Sequence, residues 1–265
     1  MDIELILKKI KKEFDHSITT ATFNGSSYSN GNKAKEALIR SQKIINYIHE
    51  YVKSDFVSNG IKKNKIYPPL NNSNPELKIK GFLKSKNQDV SILPASDYLG
   101  HALSGNPEAE RIITVNIRSQ LSSLQKNIDT LYERTFAEAL NLHLLHPRQC
   151  LGEVYLIPTH EYSDKEMLRN RVAFKPQSKI EDFIKMFQAI NNRNTDHGDE
   201  YKYERVCLLI ADFRKQKPKL YSTTEDLKKD HLVRDDFDFD LSELSINNFA
   251  KDLLEIYKKR FGSVI

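Results

Sequence analysis

The stretch Leu77–Asn141 constrains this chain more than any other. Its centre, RIITVNIR at 111–118, alternates from Ile113 onward. Side chains in a strand point to opposite faces in turn, so Ile113, Val115 and Ile117 fall on one face and Thr114, Asn116 and Arg118 on the other. A polar row on an apolar strand is unusual as mere structure, because polar groups are costly to bury without partners. Upstream, 76–83 also reads as a strand, with Leu77, Ile79 and Leu83 opposite Lys78, Lys80 and Phe82. Lys84–Asn87 reads as a turn and Asp89–Leu93 as a second strand with Val90 and Ile92 inward, which together make a hairpin. Downstream, Ser119 and Gln120 open a Ser/Gln-rich turn. A helix over 127–143 follows, with Ile128, Leu131, Phe136, Leu140 and Leu144 as its apolar stripe. Asn127 or Asp129 can cap it, and it carries Glu133 and Glu138.

The rest of the chain frames that stretch. Residues 2–14 read as a short helix, and 15–32 as a Ser/Thr/Asn/Gly-rich loop. A helix is expected over 33–53, carrying Glu36 and Glu50, and then a connector over 54–75. Residues 94–110 read as a loop with one short turn of helix, holding Asp97 and His101. Residues 150–157 (CLGEVYLI) form a buried strand in which Glu153 is the odd charge. A helix at 178–190, a polar loop at 191–202 and a last helix at 245–260 complete the pattern, while the apolar run 203–213 fits strand or helix equally. No repeat or long linker divides the chain. The expected fold is α/β (α+β): one domain over 1–265, a mixed central sheet flanked by helices, with a helical and loop segment at 1–32.

Charge is informative by position. The formal net charge is +5, yet seven lysines crowd 60–88 against a single acid, Glu76. Such lysines either protect a sheet edge or face an anionic partner. The two cysteines, Cys150 and Cys207, lack metal-site spacing and suit a reducing cytoplasm as small buried hydrophobes. No apolar stretch approaches the roughly 20 residues that span a bilayer, and no signal-peptide core opens the chain. A Gly-rich phosphate loop, a nucleophile elbow and paired histidines at ligand spacing are all missing.

Phosphodiester hydrolysis needs an aligned water and stabilisation of charge on phosphorus and the leaving oxygen. Nucleases commonly supply both with Mg²⁺ held by carboxylates and a nearby cation. Asp89 and the Asn116/Arg118 row suit that geometry if their strands pair. At this point the chain resembles the type II restriction endonucleases of the PD-(D/E)xK superfamily, nearest the XhoI-like group. GFLKSKNQDVSI resembles the segment leading to the first catalytic Asp. VNIRSQLSSLQKN…ERTFAEALN resembles the E-x-K strand, its small-residue turn and the helix with R…E-A, and CLGEVYLI resembles the next strand.

The resemblance implies a restriction-endonuclease-like core and gives Asp89 the first metal-binding position. Asn116 stands where the family has Glu, and Arg118 where it has Lys. Asn brings no negative charge, and Arg cannot act as a base. Some members move the second acid to the following helix, where Glu133 is slightly preferred for its nearness to the strand end and Glu138 matches the E-A pair. Gln120 and Ser119 would face the phosphate or a metal-bound water. Lys80, Lys84, Lys86, Ser119, Ser122, Ser123, Lys126 and Asn127 would contact DNA. Bases would be read by 94–110, 158–178 and 191–202. The implied activity is sequence-specific cleavage of double-stranded DNA with Mg²⁺, by a cytoplasmic homodimer partnered functionally by a cognate DNA methyltransferase. The alternative is a non-cleaving DNA-binding protein on a degenerate nuclease fold. A third reading is an interaction protein whose lysines are only a solvated edge.

Overall fold

A computed structural model describes residues 2–262 and Ile265. In chain order the elements are α1 (Ile3–Thr20), β1 (Thr22–Phe23), β2 (Ser26–Ser27), α2 (Gly31–Arg40), α3 (Lys43–Ser58), β3 (Ile66–Tyr67), β4 (Leu77–Ile79), β5 (Lys86–Gln88) and β6 (Val90–Ile92). Next come α4 (Tyr98–Ser104), β7 (Ile113–Ser119), α5 (Leu124–His143), β8 (Leu151–Pro158), β9 (His160–Tyr162), α6 (Asp164–Met167) and β10 (Phe174–Gln177). The chain ends with α7 (Ile180–Ala189), β11 (Arg205–Asp212), β12 (Lys219–Tyr221), α8 (Thr224–Lys229) and α9 (Phe249–Phe261).

The architecture is α+β, with a mixed six-stranded sheet in the order β12-β11-β8-β7-β6-β3 flanked by helices, as the sequence pattern predicts. β7, β8 and β11 run parallel, while β12, β6 and β3 pair antiparallel. Parallel neighbours need a crossover, and α5 provides it between β7 and β8. Both faces of the sheet are covered, so β8 and β11 are buried along their whole length. That burial is typical of a parallel strand packed on both sides, and it resolves 203–213 as strand.

Alternation divides the core in two. Val115, Ile117, Val154, Leu156, Cys207 and Leu209 pack with Leu7, Val52 and Phe249 from α1, α3 and α9. Leu151, Tyr155, Ile157, Val206, Leu208 and Ile210 pack on the other face with Leu131, Phe183 and Phe187 from α5 and α7. Gly152 allows α9 to close on the sheet, since a Cβ there would lie 2.8 Å from Phe249 Cζ.

Several expectations are corrected. The helix expected over 2–14 runs further: α1 continues to Thr20 because Ile10, Phe14 and Ile18 keep its stripe buried, and Ala21 ends it at φ 51°. The helix expected over 33–53 is two helices, broken where Gln42 adopts φ 61°. The connector begins later, since α3 reaches Ser58. The short helical turn expected within 94–110 is present but longer, as α4, and a 3₁₀ turn over Pro107–Arg111 follows it.

The hairpin also differs. β4 pairs with β5, not with the strand after Asp89, in the register Leu77↔Gln88 and Ile79↔Lys86. β6 joins the main sheet instead, between β3 and β7. β4 stops at Ile79 because the chain then turns onto α5, where Asn141 Oδ1 accepts the N–H groups of Leu83 (2.8 Å) and Lys84 (3.1 Å). α5 starts at Leu124, so Asn127 and Asp129 lie inside it. Its cap comes from far along the chain: the Glu161 carboxylate accepts the N–H groups of Ser123 (2.8 Å) and Leu124 (2.7 Å). Among the described residues, no helix is long and apolar enough to cross a membrane.

Candidate active site

Asp89 occupies the single-residue step between β5 and β6, where the chain leaves the small hairpin and enters the main sheet. Its Oδ2 accepts the Ile117 N–H at 2.6 Å, tying the carboxylate to β7 just beyond the Val90↔Val115 pair. Burial pushes the Asp89 carboxyl up to about 7, against the pull of that N–H. His49 Nε2 lies 3.9 Å from Asp89 Oδ2. Burial, with Lys53 nearby, holds His49 down at about 4, so at neutral pH it is an uncharged neighbour and not an ion-pair partner.

The polar row of β7 points to the α5 face. Asn116 Nδ2 donates to Glu138 Oε1 at 2.9 Å, and Arg118 donates to Glu138 Oε2 at 2.5 Å. The second Arg118 nitrogen lies 3.3 Å from Thr135 Oγ1 and 3.4 Å from Glu153 Oε1. Burial works against the charged form of Arg118, but Glu153 and Glu138 outweigh it and raise its pKa. Glu153 stands opposite Asn116 in the β7–β8 register. It is fully buried, and neither carboxyl oxygen has a hydrogen-bond partner among the described residues. Burial raises Glu153 to about 8, with Arg118 opposing and Glu138 and Asp89 adding to the rise.

Of the residues expected at the centre, Asp89 lies near enough to feel the charges of Arg118 and Glu138, and Asn116, Arg118 and Glu138 converge in direct hydrogen bonds. Glu133 does not: it is exposed and lines a separate hollow with Ile128, Asp129, Tyr132 and Met186. The slight preference for Glu133 over Glu138 is therefore corrected. The helix turns about 100° per residue, so two glutamates five positions apart cannot share a face. Gln120 is likewise held in its own turn, donating its side-chain amide to the Ser122 carbonyl. Glu50 is structural, since it accepts from Lys53 (2.8 Å) and the Asn71 N–H (2.7 Å). His101 stands edge-on to Tyr98 at 5.2 Å.

The expected DNA contacts separate in the same way. Lys80, Lys84, Ser123 and Lys126 are exposed, and Ser119, Ser122 and Asn127 are half-buried. Lys86 is not free, because its ammonium lies 3.5 Å from Glu138 Oε2. Gln88 adds a donor to Glu138 Oε1 at 3.3 Å. The hairpin tip exposes Phe82 and Leu83 beside the lysines. Sequence reasoning passed over His49, Gln88 and the role of Glu153. For Glu153 the signal was present: a lone acid in an otherwise apolar strand.

Oxygen donors suit Mg²⁺, but this arrangement does not fit it. Among the described residues, no three His, Cys, Asp or Glu side chains are placed to hold a metal ion. Glu138 is occupied by Asn116, Gln88 and Arg118. A divalent cation among the carboxylates would lie against the Arg118 guanidinium, and the two like charges repel strongly in a poorly solvated site. In comparisons with known proteins, the chain matches no family model, no curated protein and no solved structure.

Proposed function

We propose that this chain is a restriction-type endonuclease acting on double-stranded DNA. The supporting observation is the hydrogen-bonded cluster of Asn116, Arg118 and Glu138 from a strand and a helix, with the permanently charged guanidinium at its centre and the Asp89 carboxylate held on the backbone of the same strand. Carboxyls raised by burial beside a specific charge partner mark functional sites. Arg118 neutralises charge on the phosphate, which is the part an arginine plays best. Asp89, with one oxygen on the Ile117 N–H, takes the proton of the attacking water on the other, at a pKa matched to neutral pH. One P–O bond forms to that water and one breaks. Asn116 and Glu138 position the guanidinium. No step is assigned to Mg²⁺, which enters as a variable of the test. The same proposal includes a two-fold homodimer reading a palindromic site, a cytoplasmic location and a cognate DNA methyltransferase that protects the host site.

A second reading is favoured by one observation: the Arg118 guanidinium is already taken up by Glu138 at 2.5 Å, which supports DNA binding without cleavage. Digestion of a sequenced phage DNA with and without Mg²⁺, alongside a duplex-binding assay at about 50 mM salt, separates the two. Cleavage by the parent that Asp89→Asn abolishes supports the first. Cleavage undiminished in Asp89→Asn overturns the site assignment. Binding without cleavage supports the second, and no binding overturns both.

A further inference from the structure

A hollow of about 260 Å³ lies where α2 meets the turn between β7 and α5. Asn32, Lys35 and Arg40 line one part of it, and Ser122, Ser123 and Asp164 another. Lys35 is the unusual member. It is 4 % exposed, and what its side chain still shows to solvent opens into the hollow. The nearest carboxylate oxygen, Asp164 Oδ1, is 3.9 Å away. That acid is engaged elsewhere, with Lys175 at 2.6 Å from its other oxygen. Glu36, also in the hollow, is paired with Lys33 at 3.1 Å. Glu161 behind the turn is taken up by Lys175 and by the N–H groups of Ser123 and Leu124. The acids around Lys35 are thus satisfied without it. A buried ammonium is tolerated best when it is closely paired and hydrogen-bonded, and Lys35 has only the long 3.9 Å contact to Asp164. Burial lowers its pKa, with Asp164 opposing.

We infer that this hollow is a phosphate-binding site, with Lys35 as its buried cation, Arg40 at its rim and the Ser122 and Ser123 hydroxyls as donors. A phosphate oxygen would give the Lys35 ammonium the charged acceptor it is missing. The site is distinct from the Arg118 centre but tethered to it. Ser122 lies four residue steps beyond Arg118, a span of at most about 14 Å of extended chain, which is a few nucleotide steps at about 3.4 Å each. The DNA reading supplies the source of the phosphate, a backbone group flanking the reacting one; a small phosphorylated molecule has the same chemistry.

Two arms test it on the full chain. In the first, duplex affinity is measured from 50 to 200 mM salt for the parent, Lys35→Met and Arg40→Ala. Each lost phosphate contact should flatten the slope of log K against log salt by about one, on every sequence alike. In the second, inorganic phosphate is titrated while backbone amide NMR signals are followed. Shifts at Ser122, Ser123 and Lys35 that vanish in Lys35→Met are expected. Arg40 is exposed, so its variant keeps the test open should Lys35→Met fail to fold. Flattened slopes assign the site to DNA. Phosphate shifts with unchanged slopes, or with a parent that never binds duplex, assign it to a small phosphorylated ligand and leave the DNA reading to stand or fall separately. Unchanged slopes together with no phosphate shifts overturn the inference.

Discussion

Replacing Glu153 with Gln should stabilise the protein, in a pH-dependent way that reveals the buried charge. Glu153 has an ordinary carboxyl value of 4.5, is raised to about 8 in the fold, and is fully buried. An acid raised in the folded state costs nothing below the unfolded value, because both states are then protonated. Stability falls as pH rises from 4.5 towards 8, where the unfolded chain ionises and the folded one must hold its proton or bury a charge. At about 1.4 kcal/mol per pH unit, the loss is about 3 kcal/mol by pH 7 and about 5 kcal/mol above pH 8. Glutamine copies the neutral acid in shape and cannot ionise. The Glu153→Gln variant should therefore match the parent near pH 4.5 and exceed it by about 3 kcal/mol at pH 7. Asp89 is raised as well, to about 7, but it titrates in both proteins, so their difference isolates Glu153. The assay is urea unfolding at fixed temperature from pH 4.5 to 8, with slope and midpoint fitted at each pH. A parent-to-variant difference that does not grow with pH would refute the argument that burial dominates this carboxyl.

Three further outcomes follow from the same geometry. Glu204 is fully buried between Arg260 at 2.7 Å and Arg193 at 3.0 Å; burial alone would raise it, but His143, Arg260 and the Leu151 N–H hold it down to about 2. Glu204→Ala should lower stability at neutral pH by about 3–5 kcal/mol in urea unfolding, because it strands buried arginines; the parent keeps this contribution above pH 4.5 and loses it as pH falls through about 2. Glu161→Ala should cost about 1–2 kcal/mol as a lost cap, and amide hydrogen exchange should quicken at Ser123 and Leu124, where the carboxylate now accepts both N–H groups. If Asp89 is the base, single-turnover cleavage should rise about tenfold per pH unit below its pKa of about 7 and level off above it; a rate that falls over that range excludes Asp89 from the role.

Much of the framework was legible in the residues. Period-two alternation marked the strand through Asn116 and Arg118, and the apolar stripe marked the helix bearing Glu138, because side-chain direction in regular structure follows from spacing alone. The same logic put Asp89 beside β6. It failed where partners are chosen over long separations. Nothing local says that 86–88 pairs with 77–79 while 90–92 pairs with 113–115. Nothing local says that Glu161 caps a helix beginning 37 residues earlier. The choice between Glu133 and Glu138 needed the helix phase against the sheet, which packing fixes.

Periodicity and the burial of apolar faces are enough to dictate the fold class, the sheet-and-helix layering and the polar row on β7. Tertiary structure alone decided what that row meets. Register brought Glu153 opposite Asn116, and the crossover helix carried Glu138 onto Arg118. In a low-dielectric interior those placements, more than the residue types, set which carboxyls keep their protons and where the guanidinium rests. The loosely paired ammonium of Lys35 belongs to the same category, because only packing could bury a surface residue type and leave it a carboxylate no nearer than 3.9 Å.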